Sequence, residues 1–135
     1  MKTLILAGLL ALASSAQAAL NPRLVSALIQ VESSGRDHAI GDNGRAVGCL
    51  QIHPILVEDV NGILARRGSS TRFTLADRLN RKKSIAMLEI YLSHYGQRLG
   101  RKPTEQDLAR IWNGGPSGWK RSTTLRYWSK VTSKL

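Results

Sequence analysis

Glu32 is the residue whose type and setting could do acid–base chemistry. The pattern of apolar residues places it in the last turn of a helix, beside Val31. A helix C-terminus carries partial negative charge, which disfavours an ionised carboxylate there. Partial burial pushes the same way, because desolvation penalises the charged form. Both raise the pKa, and a general acid working near neutral pH needs its proton held in this way. Position alone also fits a solvated surface glutamate. Asp42 follows inside Gly41-Asp42-Asn43-Gly44, which is good turn chemistry without any catalysis. Other carriers of chemistry are sparse. His38, His53 and His94 are scattered and lack a metal-ligand spacing such as HExxH. Cys49 is the only cysteine, so neither an internal disulfide nor a thiolate metal cluster can form.

A helix must carry Glu32, and the residues before it supply one. Asn21 is a good cap and Pro22 a good first helical residue. Leu24, Val25, Leu28, Ile29 and Val31 form an apolar stripe, which Ser33-Ser34-Gly35 ends. A polar, Gly-rich loop runs from Gly35 to Gly48. The apolar run Val47–Ile52 reads as a strand of a small hairpin. Pro54 opens a second helix reaching about Arg67, weakened in its middle by Asn61-Gly62. Thr74 and Asp77 have capping-box spacing. Asn80 can cap a long helix carrying Ile85, Leu88, Leu92 and Tyr95, which ends at Gly96 or Gly100. Pro103-Thr104 opens another, with Leu108, Ile111 and Trp112 on one side. The run from Asn113 to Gly118 is a strong turn signal, and Leu125, Trp128 and Val131 mark a last amphipathic helix. The class is mainly α with a small β element.

Residues 1–18 read differently. Lys2 precedes the apolar run Leu4–Ala13, and Ala16-Gln17-Ala18 offers a small-residue cleavage site. That order is a secretory signal peptide, and the run is too short to span a membrane. Residues 19–135 then form a single domain, exported to the periplasm or beyond. The chain of 135 residues has a formal net charge of +11, one unit of it from Lys2. Such a field attracts polyanions, although a solvated basic face that aids solubility fits equally well. Nucleic acid is disfavoured, because the signal is an export signal and no recognisable binding motif is present.

Five segments carry a family resemblance. Val31-Glu32-Ser33-Ser34-Gly35, Gly41-Asp42-Asn43-Gly44 and Gly48-Cys49-Leu50-Gln51-Ile52 together resemble lytic transglycosylases of the SLT type and goose-type lysozymes. The stretches Asp107–Pro116 and Thr124–Val131 resemble invertebrate-type lysozymes and their bacterial relatives. These matches run from about residue 24 to 131. Each motif is weak alone, and their order and spacing make them specific. The resemblance implies a lysozyme-like, two-lobed helical domain with a cleft. It implies that Glu32 protonates the β-1,4 glycosidic oxygen between N-acetylmuramic acid and N-acetylglucosamine in peptidoglycan. Gln51 matches the glutamine that lines the sugar cleft, Asn113 and Tyr127 match positions near the catalytic acid, and Ser33 matches the serine that follows it, so the resemblance implies a substrate-binding set of Ser33, Gln51, Asn113 and Tyr127. Each has a plainer reading too: Ser33 in ending the helix, Asn113 in the turn, Tyr127 in the core.

A second carboxylate decides the mechanism. Hydrolases use one as nucleophile or as base for water. A lytic transglycosylase needs the acid alone, because a substrate hydroxyl closes on the anomeric carbon to leave a 1,6-anhydro end. Asp42 matches an aspartate of goose-type and invertebrate-type lysozymes, so the resemblance favours a hydrolytic muramidase. Transglycosylation and a non-catalytic, basic wall-binding domain are the alternatives. No metal or cofactor is implied. The expected partners are peptidoglycan strands and anionic envelope polymers, and the chain is read as a monomer. Two features depart from the pattern: His53 stands where goose-type lysozymes offer another acid, and Trp119 where invertebrate-type lysozymes have a cysteine. His53 reads as a plain loop residue rather than one that positions water. Cys49 reads as a small packing residue.

Overall fold

The computed structural model describes residues 19–135, so the expected signal segment 1–18 lies outside the described residues. Helix α1 spans Pro22–Ser33. The Asn21 side chain accepts a hydrogen bond from the Arg23 N–H, which satisfies one of the orphan donors of the first turn. Ser34 adopts the left-handed conformation at φ 54° and ends the helix. Leu24, Val25, Leu28 and Ile29 are buried, as their spacing predicts.

Strands β1 (Ile40–Gly41) and β2 (Ala46–Val47) form a small antiparallel hairpin, with Ile40 opposite Val47 and Gly41 opposite Ala46. The Val47–Ile52 run is not the single strand read from its apolarity. Gly48 and Gln51 both take positive φ, 86° and 52°. Such backbone cannot stay extended, so the chain turns and Ile52 bridges back to Val47.

Helix α2 spans Pro54–Arg66. Asn61-Gly62 does not interrupt it, because the Asn61 side chain is pinned by a reciprocal pair of hydrogen bonds with the Phe73 backbone. The Thr74–Asp77 capping box closes on a 3-10 turn, Leu75–Leu79. Asn80 caps α3, Arg81–Gly96, by accepting from the Lys83 N–H. A 3-10 turn, Gln97–Leu99, continues α3 to left-handed Gly100, so both glycines mark the end. Helix α4 spans Glu105–Gly114 behind a second capping box, Thr104 with Asp107. Asp107 also holds Arg101 through two contacts of 2.6 and 3.0 Å. Helix α5 spans Leu125–Thr132. Its inward residues are Tyr127 and Val131, whereas Leu125, at the first turn, is exposed.

Helix α3 packs on α2 and α4, and α5 packs on α4 and α1. Leu28, Leu50, Val60, Met87, Leu88, Leu92 and Ile111 fill the core between them. Cys49 is buried in the same cluster and makes no disulfide. Among the described residues, no buried side-chain nitrogen or oxygen lacks a hydrogen-bond partner. Each fully buried Leu or Ile adds about 1.5–3 kcal/mol over its exposed state, so this core can hold the site without cross-links.

Candidate active site

Glu32 leaves the C-terminal turn of α1 and faces α5. The Tyr127 hydroxyl donates to Glu32 Oε1 at 2.7 Å. Burial pushes the Glu32 pKa above its ordinary value, and the Tyr127 hydrogen bond and the nearby Lys130 charge pull the other way without overcoming it. Burial and the facing carboxylate likewise raise the Tyr127 phenol, which keeps it a donor. A carboxyl group so placed holds a proton above the usual carboxylate range.

Glu32 opens onto a cleft of about 780 Å3. The 50–66 segment lines it, together with Tyr91 from α3, Trp112 and Asn113 from the end of α4, and Pro116 from the turn that follows. Tyr91 and Trp112 meet edge to face, ring centroids 5.8 Å apart. Burial raises the Tyr91 phenol to about 12. The α4 end is held by Arg110, whose guanidinium donates to Thr124 Oγ1 at 2.8 Å and to the Arg121 carbonyl at 2.9 Å. Gly118 must be small here, since a Cβ would overlap the Arg110 carbonyl. Among the described residues, no group of three or more His, Cys, Asp or Glu side chains is placed to hold a metal ion.

The hairpin brings a second set of groups beside the cleft. His53 lines it, and its Nε2 lies 3.2 Å from Asp42 Oδ2. Asp42 Oδ1 takes Arg45 Nη2 at 3.2 Å. Asp42 is exposed and is not itself among the cleft-lining residues. The loop is pinned from below by Arg78, which donates to the carbonyls of Arg45 and Ile52, both at 3.0 Å, and of Leu75. A Cβ on Gly48 would overlap the Arg78 carbonyl, so glycine is required at this close approach. Gln51 lines the cleft and also ties the loop: its Nε2 donates to the Ala39 and Gly48 carbonyls.

The six residues singled out in the sequence divide. Glu32, Gln51 and Asn113 line one cleft. Asp42 sits beside it through His53. Tyr127 is buried and reaches the cleft through the Glu32 carboxyl instead of facing sugar directly. Ser33 is not in the cleft. It is buried, its Oγ donates to the Ile29 carbonyl and accepts from the Arg36 N–H, and the hydroxyl serves the helix end. Sequence reasoning passed over Tyr91, Trp112, Asp59 and Arg66 as site residues, although Ile55, Asp59, Gly62 and Arg66 recur at helical spacing on the cleft face of α2. It also read His53 as a plain loop residue, although its imidazole meets Asp42.

Comparison with known proteins bears on both the fold and the family. A structure of the inhibitor-bound lysozyme of Meretrix lusoria superposes with a TM-score of 0.69 at 23% identity, covering 85% of this chain and 90% of that one. A chain of the complex between Aeromonas hydrophila PliI and Meretrix lusoria lysozyme gives 0.68 at 25% identity with the same coverage. These likenesses establish a lysozyme-like fold. Among curated proteins no significant match was found. The model of the transglycosylase SLT domain matches residues 10–130. That match takes in every motif that carries the resemblance except Val131, and the chain belongs to the transglycosylase SLT domain family.

Proposed function

We propose that the protein cleaves the β-1,4 bond between N-acetylmuramic acid and N-acetylglucosamine in peptidoglycan, with Glu32 as general acid. The observation that carries this reading is the buried Glu32 carboxyl, hydrogen-bonded by Tyr127 and open to the cleft. Family and fold support action on peptidoglycan. A non-catalytic wall-binding domain has no use for a carboxyl group whose burial raises its hold on a proton. Glu32 donates its proton to the leaving O4 oxygen as the bond from the anomeric carbon breaks. Tyr127 then hydrogen-bonds the carboxylate that forms. Gln51 and Asn113 offer amides to the sugars, and Tyr91 and Trp112 offer apolar faces.

Hydrolysis requires water at the anomeric carbon. In this reading Asp42 takes the proton from that water, with His53 holding the aspartate toward the cleft. One observation favours the second reading, lytic transglycosylation: Asp42 stands beside the cleft, already engaged by Arg45 and His53. There the muramic acid O6 hydroxyl attacks the anomeric carbon instead and passes its proton to the Glu32 carboxylate left by the first step. Export through residues 1–18 would bring the enzyme to its wall substrate, in the periplasm or outside the cell. Mass spectrometry of muropeptides released from purified peptidoglycan separates the two chemistries. Reducing ends, lost on Asp42→Asn, support hydrolysis. Anhydro ends that persist in Asp42→Asn establish transglycosylation and leave Asp42 a turn residue.

A further inference from the structure

We propose that Arg66 is a subsite residue that takes a carboxylate of the peptide stem carried by the glycan strand. This rests on the reading of the cleft as a peptidoglycan site. Arg66 is the last residue of α2 and lines the same cleft as Glu32. A Cβ on Gly62 would meet Arg66 Nη1 at 3.2 Å, so the guanidinium lies back over Gly62 in place of a side chain there. The guanidinium thus lies along the cleft face of α2 at the level of Gly62. Among the described residues Arg66 enters no ion pair, whereas Arg45, Arg81, Lys83 and Arg101 each hold an aspartate.

The surroundings of Arg66 are mainly cationic, with Asp59 the one carboxylate that acts on the same neighbours. Burial lowers the proton affinity of His94 first, and Arg98, Arg67 and Arg66 lower it further, against the opposing charge of Asp59. The Arg98 guanidinium stands 5.7 Å from the centre of the Tyr95 ring. Asp59, about one turn before Gly62, shares the cleft face of α2 with Arg66, but the two form no ion pair among the described residues. Asp59 already accepts the Tyr95 hydroxyl at 2.6 Å. A glycan backbone of N-acetylated sugars is neutral, and the anionic groups of peptidoglycan strands are the carboxylates of their stems. A guanidinium presents a planar fork that matches a carboxylate with two parallel N–H donors. Arg66 lies about 18 Å along α2 from Pro54, the end next to His53, so it binds the strand away from the bond being cut. Such binding acts in ground state and transition state alike, and its loss falls on KM.

The test pairs Arg66→Gln with peptidoglycan whose stem carboxylates have been amidated by carbodiimide coupling to ammonia. Release of soluble muropeptides gives KM and kcat for wild type and variant on native and amidated sacculi. Arg66 is exposed at a helix end, and a melting curve checks that the variant folds. Wild type is expected to lose roughly three- to tenfold on amidation, through KM, while Arg66→Gln starts lower and treats both substrates alike. An equal amidation penalty in wild type and Arg66→Gln would overturn the proposal, because the stem charge would then be read elsewhere. So would a wild type indifferent to amidation. No cleavage of either substrate by wild type would overturn the glycan-cleaving reading itself, and this inference with it.

Discussion

The two carboxylates beside the cleft are held in opposite ways. Glu32 sits where α1 packs on α5, is desolvated, and has one hydrogen bond from a buried phenol. Asp42 sits on a hairpin turn with 45% of its side chain exposed, between Arg45 and His53. Burial makes Glu32 a proton reservoir at the expense of stability once it ionises. Exposure leaves Asp42 hydrated and asks nothing of the core. The difference shows two ways one small domain sets a carboxylate: one is tuned by the packing of helices, the other is placed by a loop.

The comparison breaks most sharply at Glu32. Glu32→Gln is expected to reduce muropeptide release by about 10²–10⁴-fold, the range of a positioned general acid. The same change should stabilise the fold at alkaline pH. Burial raises the folded pKa of Glu32 above its unfolded value, so its contribution is fully present below the unfolded pKa and is lost as pH rises through the folded one. Wild type should therefore lose stability over that interval, and Glu32→Gln should not, as denaturant melts at several pH values will report. Asp42→Asn comes next, with a loss of roughly 10²-fold under hydrolysis. Its stability should stay within about 0.5 kcal/mol of wild type, because the side chain is exposed. Tyr127→Phe sharpens the contrast with the smallest effect. Removing the hydroxyl costs about 1 kcal/mol of stability. It also takes away a bond that favours ionised Glu32, so the alkaline limb of the kcat/KM profile should move to higher pH.

Helix ends were legible in the sequence because their signals are local. Asn21, Asn80 and Thr104 cap the helices they precede, and each needs a partner only two or three residues away. The hairpin was legible as an element but not in extent, since the positive φ at Gln51 follows from its own amide bonding across the loop. Glu32 could be singled out by place and motif. Tyr127 was placed near it by resemblance, but the hydrogen bond that tunes Glu32 was not legible, because Tyr127 lies 95 residues away in the chain and meets it through packing alone. Ser33 carried the motif but not the position, since its hydroxyl turns back on its own helix. Arg66, Asp59 and Tyr91 carry no motif, and become site residues because α2 and α3 pack side by side.

The most direct test of the account is the titration of the Glu32 carboxyl carbon, followed by NMR in selectively labelled protein and assigned by its loss in Glu32→Gln. The account predicts a midpoint above the ordinary carboxylate value of 4.5. A midpoint at or below that value would contradict it, because the cleft would then hold an ionised carboxylate with no proton to give to the glycosidic oxygen.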